Sequence, residues 1–319
     1  MNQISLGSTD LSVSALCMGT VSFGSHMDDK ASFGMMDHFA SLGGNFLDTA
    51  RVYADWLPLV EKQASEKCIG RWLKARGLEE EIIIATKGGH PPTDVPGGPT
   101  ISKAELTQQT DDSRRNLGLD TLPLYYLHRD DPALPVEQIM DVLFTLQDRK
   151  AVRHIACSNW RAHRIREANA YAASCGRPGF AAVSNRWSLA RCVSGVGDPT
   201  IVLTDDELYR MHQEEALPLL PFTSMANGYL SKLAEGRPLS PGIRAQYDLP
   251  ENDAIARRAR ELGHQKGMSV AQVAQCFFYA QPFQVIPVMS FSTLAQMEEA
   301  AAATRMALSP QECHWLLNG

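Results

Sequence analysis

Residues 124–157 read LYYLHRDDPALPVEQIMDVLFTLQDRKAVRHIAC. The stretch opens on an apolar run, Leu124-Tyr125-Tyr126-Leu127, and closes on another, His154-Ile155-Ala156-Cys157. Between them Val136, Ile139, Val142, Leu143 and Leu146 recur at spacings of three and four, an apolar stripe on one face of a helix over 135–149. Strands apolar without alternation are covered on both faces, and a helical crossover between two of them makes them parallel.

The same unit repeats on either side. Further short apolar runs occur at Ala15–Met18, Asn45–Leu47, Glu81–Ala85, Phe180–Val183, Leu217–Leu220 and Gln284–Val288. Helical stretches accompany them near 30–42, 58–76, 102–117, 161–174, 204–215, 250–280 and 293–304. Eight strands alternating with helices predict an α/β fold, a (β/α)8 TIM barrel, with an open doubly wound sheet as the alternative. No linker or composition shift divides the chain, so residues 1–319 are expected to form one domain. Three long βα loops are expected at 88–100, 186–203 and 223–248, with a final helix at 309–317. Ile4 to Val13, with Gly7-Ser8-Thr9-Asp10 inside, predicts a β-hairpin ahead of the barrel.

Composition narrows the partners. Thirty basic residues stand against 36 acidic ones, a net charge of −6, with no Lys/Arg-rich run to meet nucleic acid or a membrane surface. No basic, apolar leader opens the chain and no 18-residue apolar run follows, so neither standard secretion nor membrane insertion is expected. Seven scattered cysteines without a C-x-x-C pair fit reduced thiols in a cytoplasmic protein. The histidines show no metal-ligand spacing, so no metal is expected, and the glycine signatures of Rossmann and P-loop nucleotide sites are missing.

In such a barrel the chemistry sits at the C-terminal ends of the strands. Asp48, Lys87 and His128 end the second, third and fourth strands, and Tyr53 follows Asp48 by five residues. Alone, each reads equally well as a cap, a solvated lysine, a core histidine or a packing tyrosine. Together they make a proton-delivery site. A tyrosine can act as general acid where a cation, here Lys87 paired with Asp48, eases formation of the phenolate, while His128 orients a carbonyl oxygen. Protonating that oxygen is useful when hydride reaches the carbon, which no side chain can supply, so a nicotinamide cofactor is implied.

The sequence resembles the aldo/keto reductase superfamily over nearly its full length. The matching stretches are Leu6-Gly7, Leu11-Ser12-Val13-Ser14, Met18-Gly19-Thr20, Phe23-Gly24, Gly44 to Tyr53, Ser65 to Gly70, Ala85-Thr86-Lys87-Gly88, Tyr125 to His128 and Cys157-Ser158-Asn159-Trp160. The resemblance implies a catalytic tetrad of Asp48, Tyr53, Lys87 and His128, NADPH-dependent carbonyl reduction or its reverse, and loops that shape the substrate pocket. It places Ser158 and Asn159 on the nicotinamide carboxamide, with Gly19, Thr20 and Asp48 nearby. Phe222, Thr223, Ser224, Met225, Asn227, Gly228 and Lys232 would wrap the pyrophosphate, and Ser290, Ser292, Gln296 and Glu299 would hold the adenosine end.

Three departures from the family pattern are visible. Ser184 stands where glutamine is usual, Thr223-Ser224 replaces Ser-Pro, and Trp187 replaces the tyrosine that stacks on the nicotinamide. From Ile286 to Thr304 there is no Lys or Arg to meet a 2′-phosphate, the next being Arg305. Ser292 and Thr293 at a helix N-terminus are the remaining anion donors, so NADPH is expected with NADH also usable. Substrate contacts are expected from Val21, Tyr53, Trp56, His90, His128, Arg129, Trp160 and Arg191, a lining suited to a hydroxylated aldehyde or sugar-like ketone. The rival reading is a catalytically idle, cofactor-binding regulatory subunit or redox sensor on the same barrel. Retention of all four tetrad residues favours an enzyme.

Overall fold

Strands β1 (Gln3–Ser5) and β2 (Ser12–Ser14) form an antiparallel hairpin in the register Ile4 against Val13. The structure, a computed structural model, describes residues 1–91, 101–193 and 195–319. Residues 92–100 of the expected loop at 88–100 and Ser194 of the loop at 186–203 lie outside the described residues.

Seven strands follow: β3 (Cys17–Gly19), β4 (Phe46–Asp48), β5 (Ile83–Gly88), β6 (Leu122–Leu127), β7 (Val152–Ser158), β8 (Val183–Ser184) and β9 (Val288–Met289). All are parallel, in the order β8-β7-β6-β5-β4-β3-β9. The strand expected at 217–220 closes the ring as single bridges, Leu219 pairing with both Val183 and Val285. Leu220 N–H donates to Val183 O (2.7 Å) and Ile286 N–H to Leu219 O (3.0 Å). Pro218 and Pro221 bracket Leu219-Leu220 and have no N–H to give, which keeps the segment from a longer ladder. The parallel sheet therefore curls into the expected (β/α)8 barrel.

Helices lie between the strands: α1 (Asp29–Ser41), α2 (Ala64–Arg76), α3 (Lys103–Leu117), α4 (Val136–Asp148), α5 (Ala162–Ser174) and α6 (Asp206–Glu215). They continue as α7 (Tyr229–Ala234), α8 (Pro241–Tyr247), α9 (Pro250–Lys266), α10 (Val270–Tyr279), α11 (Leu294–Ala303) and α12 (Pro310–Asn318). Two expectations change. The helix expected over 250–280 is two, because Gly267 takes a left-handed φ of 67° and Ser269 opens a capping box with Gln272. The loop expected at 223–248 carries α7 and α8, each too short for a periodic signal to stand out. Among the described residues no helix is long and apolar enough to cross a membrane.

The barrel interior is a separate apolar cluster. Cys17, Phe46, Ala85, Leu124, Tyr126, Ala156, Ala182, Leu220 and Ile286 meet there with Leu6, Leu11 and Val13 of the hairpin. The hairpin thus stoppers the N-terminal end. Each large side chain so buried stabilises the fold by roughly 1.5–3 kcal/mol. The larger cluster, with Met36, Trp72, Leu143 and Ile165, lies between the barrel and its helices.

Candidate active site

Side chains two apart on a strand share a face. Phe46, Ala85, Tyr126, Ala156 and Ala182 point into the barrel, so Asp48, Lys87, His128, Ser158 and Ser184 form the next inward layer. β4, β5 and β7 run past their apolar residues, so Asp48, Lys87 and Ser158 belong to the strands themselves. Pairing continues past β6 as well, where His128 N–H donates to Gly88 O at 2.8 Å.

Lys87 organises this layer. Its Nζ donates to Asp48 Oδ1 (2.7 Å) and Oδ2 (2.6 Å) and to Thr49 O (2.8 Å), and lies 3.2 Å from the Tyr53 hydroxyl. Lys87 is 3% exposed and Asp48 4%, so the pair has little water to lean on. Burial works against the Lys87 ammonium, but Asp48 and Tyr53 outweigh it and raise its pKa above the ordinary lysine value. Tyr53 reaches the pair from the loop after β4, bent by a left-handed Ala54 (φ 76°). Its hydroxyl lies 3.4 Å from Asp48 Oδ1.

The Tyr53 hydroxyl feels opposing influences. Burial pushes the Tyr53 pKa up; Lys87 pulls it down and Asp48 pushes it up again, with a net rise above the usual value. Tyr53 therefore holds its proton in the resting protein. His128 moves the other way: burial, then Lys87, Arg129 and His90, hold its pKa well below the usual 6.5, so the imidazole is neutral. Its Nδ1 is buried with no hydrogen-bond partner among the described residues.

A chain of hydroxyls supports the layer from behind. Ser65 Oγ lies 2.9 Å from both Thr20 Oγ1 and Thr49 Oγ1, and Thr20 Oγ1 donates to Asp48 O at 2.8 Å. All three side chains are fully buried. They tie the loops after β3 and β4 to the start of α2, fixing the carbonyl that Lys87 uses.

Above Lys87 a groove of about 800 Å³ runs outward from the barrel mouth. Gly19, Thr20, Asp48, Ser158, Asn159, Phe222, Thr223, Ser224, Met225, Asn227, Gly228, Lys232, Ser290, Ser292, Gln296 and Glu299 line it, with Val21, Tyr53, His128 and Arg129. Its floor needs Gly19, because a Cβ there would meet Ser290 Oγ at 2.9 Å. At one end α11 opens its N-terminus, capped by Thr293, beside Ser292. Positive φ at Thr223, Ala226, Asn227 and Gly228 curls the opposite wall.

Several expected residues lie elsewhere. Trp187 is not a groove residue: it sits in a cage of Tyr209, Phe277, Phe278 and Phe283, ring centroids 5.3–6.4 Å away. It lies three residues past the inward Ser184, off the strand's alternation, and the apolar cage takes the indole. Phe222 presents an aromatic ring on the groove wall. Trp160 is 0% exposed, edge-on to Phe180 and beneath the Arg164 guanidinium, so it offers no surface to a substrate. Ser184 Oγ is buried without a hydrogen-bond partner among the described residues, and Ser184 does not line the groove. Arg191 is exposed, and its backbone is held by Asn252.

Trp56 stands half-exposed and edge-on to Tyr53 at 6.3 Å, and His90 is edge-on to His128 at 4.9 Å. Arg129 bonds Asp198, Thr200 and His128 O rather than its neighbours Asp130 and Asp131, and Asp130 takes Arg164.

Other groove residues escaped the sequence reading. Ser231, Arg237, Gln272, Gln275 and Phe291 line it too, and Arg237 pairs with Glu235 at 2.6 Å. The 286–304 segment does lack a cation, and Arg305 is exposed beyond α11. Lys232 and Arg237, from α7 and just past it, face the same groove instead. No spacing in the sequence announces that approach, since it depends on how α7 folds back.

A closed parallel barrel with a buried lysine–carboxylate pair holding a protonated tyrosine at its mouth defines a class of oxidoreductase. Residues 15–316 match the family model described as the aldo/keto reductase family. The chain belongs to that family and is an enzyme. It is 27% identical to a norsolorinic acid reductase of Emericella nidulans over 95% of this chain and 77% of that one. It is 25% identical to an aryl-alcohol dehydrogenase [NADP(+)] of Phanerodontia chrysosporium over 96% of this chain and 82% of that one. A solved thermostable aldo-keto reductase, 18% identical, shares the fold with a TM-score of 0.75 over 99% of this chain and 98% of that one.

Proposed function

We propose that the protein reduces an aryl aldehyde or ketone with NADPH, or oxidises the corresponding alcohol, through a proton held on Tyr53. The observation that carries this is Lys87 Nζ, placed 2.6–2.8 Å from three oxygens of Asp48 and Thr49 and 3.2 Å from the Tyr53 hydroxyl. Tyr53 gives its proton to the carbonyl oxygen. The fixed Lys87 ammonium stabilises the phenolate that results, with no rearrangement needed at that moment. Neutral His128, on the same wall, orients the carbonyl oxygen without competing as an acid.

The groove fits the cofactor. Gly19 leaves room for it, Phe222 offers a stacking face, and Ser158 and Asn159 lie at the inner end. Ser292 at the α11 N-terminus, with Lys232 and Arg237 across the groove, suits phosphate. When bound, NADPH supplies the hydride to the carbonyl carbon.

Two observations favour an aromatic substrate over the sugar-like one suggested by polar rims. Val21 and Trp56 are exposed apolar residues in the loops around Tyr53, and two relatives are named for aryl alcohols and norsolorinic acid. The test is Tyr53→Phe with NADPH and benzaldehyde. Hydride transfer is expected to fall about 10²–10⁴-fold while NADPH affinity stays unchanged. A variant within threefold of wild type overturns the assignment. A wild-type protein that binds NADPH yet reduces no carbonyl compound points to the idle sensor.

A further inference from the structure

Beside Tyr53 and His128 the groove contains a second buried cation. Arg129 is 6% exposed and directly follows His128. Its Nη2 donates to Asp198 Oδ2 at 2.8 Å, its Nε to Thr200 Oγ1 at 2.7 Å and its Nη1 to His128 O at 2.8 Å. Asp198 in turn accepts from Thr200 through both N–H and hydroxyl. Val202 N–H completes the attachment on Asn159 Oδ1 at 3.2 Å. The segment 198–202 is therefore built onto the site, and it brings its own carboxylate.

Among the described residues, the charges beside the reacting centre are matched in this way. Lys87 has Asp48, Arg129 has Asp198, and burial keeps both His128 and His90 in their neutral forms. Burial works against the Asp198 carboxylate, but Thr200 and Arg129 outweigh it and hold its pKa at about 2, so it stays ionised. Arg129 is otherwise well suited to a substrate carboxylate, since a guanidinium binds one in a fork. Asp198 Oδ2 on Nη2 and the Thr200 hydroxyl on Nε already occupy that fork, and Asp198 supplies its negative charge.

We propose that Asp198 is a specificity-determining residue: by occupying Arg129 at the pocket wall it makes the site select uncharged carbonyl compounds and turn away those carrying a carboxylate. The inference rests on the reading of this groove as a carbonyl-substrate site. It deepens that reading by assigning the charge of the substrate.

The experiment measures binding, without turnover. Protein loaded with NADP⁺ is titrated by fluorescence with benzyl alcohol and with 4-carboxybenzyl alcohol, in wild type, Asp198→Asn and Asp198→Asn/Arg129→Met. In Asp198→Asn the affinity for the carboxylate relative to the neutral ligand is expected to rise about tenfold, as for one charge-assisted hydrogen bond gained. The double variant is expected to return the ratio to the wild-type value. An unchanged ratio in Asp198→Asn overturns the proposal, including when both ligands weaken together because the segment has come loose. A rise that survives in the double variant overturns it as well, because the carboxylate has then found another partner. Failure of the reductase reading shows separately, as a wild-type enzyme whose benzaldehyde reduction does not depend on Tyr53.

Discussion

Lys87 Nζ lies 2.7 and 2.6 Å from the two carboxylate oxygens of Asp48, on adjacent strands and almost wholly out of water. Either charge alone in that place would face a desolvation cost of several kcal/mol. The pair is thus structural and chemical at once, and the two aspects separate by mutation.

Asp48→Asn leaves the ammonium buried among neutral oxygens, without its counter-charge. Stability measured by urea unfolding is expected to fall by about 3–5 kcal/mol. Replacing both residues, as Asp48→Leu/Lys87→Met, is expected to recover more than half of that loss while leaving the protein inactive. A single variant as stable as wild type contradicts the buried-pair assignment.

Burial and three cationic or imidazole neighbours lower the His128 pKa, so the sign of its pH effect is fixed. As pH falls below about 6.5 the unfolded chain takes up a proton that the native imidazole refuses, and stability drops. Tyr53 is raised, so it remains a proton donor past pH 10. Carbonyl reduction is expected to be level from about pH 6 to 9, with no inflection near 6.5 and a fall only in strong alkali. A His128 ring titrating near 6.5 by NMR counts against this.

Phe222 lines the groove, whereas Trp187, expected to stack on the nicotinamide, is packed in an aromatic cage. Phe222→Ala is expected to weaken NADPH binding about tenfold, from loss of an aromatic contact of about 1 kcal/mol and some of its buried area. Trp187→Ala is expected to cost about 3 kcal/mol of stability through the cavity it leaves, with NADPH affinity nearly unchanged. Equilibrium binding and thermal unfolding of the two variants decide between the assignments.

Cofactor choice depends on cations that come from outside the 286–304 segment. Lys232 and Arg237 face the groove, but Arg237 is already paired with Glu235. The kcat/KM preference for NADPH over NADH is expected to stay below about a thousandfold, or about 4 kcal/mol. Arg237→Gln is expected to narrow it further, chiefly through KM for NADPH. A preference above a thousandfold in wild type, or no change in Arg237→Gln, sinks this account.

The βα repeats were legible because uninterrupted apolar strands and striped helices are strong local signals, as at 124–157. The polar strand ends pointed to Asp48, Lys87 and His128 for the same local reason. What was not legible depends on side-chain direction and on distant segments. Trp187 and Trp160 lie close in sequence to strand ends, yet one turns into an aromatic cage and the other behind Asn159. Arg129 bypasses its sequence neighbours for Asp198, which reaches it only through the fold of the 195–203 segment. Arg237 reaches the groove just past α7, a short helix in a stretch that looked like loop.

The hairpin of β1 and β2 has a consequence for traffic. With Leu6, Leu11 and Val13 packed into its lower end, the barrel is a cul-de-sac among the described residues, and the groove is the doorway of Lys87, Asp48 and Tyr53. A bulky alcohol product standing in that doorway also stands between the spent Tyr53 phenolate and bulk water. Under the proposed mechanism, restoring the proton for the next cycle is then tied to the product's departure, so the enzyme rearms only once it has been vacated.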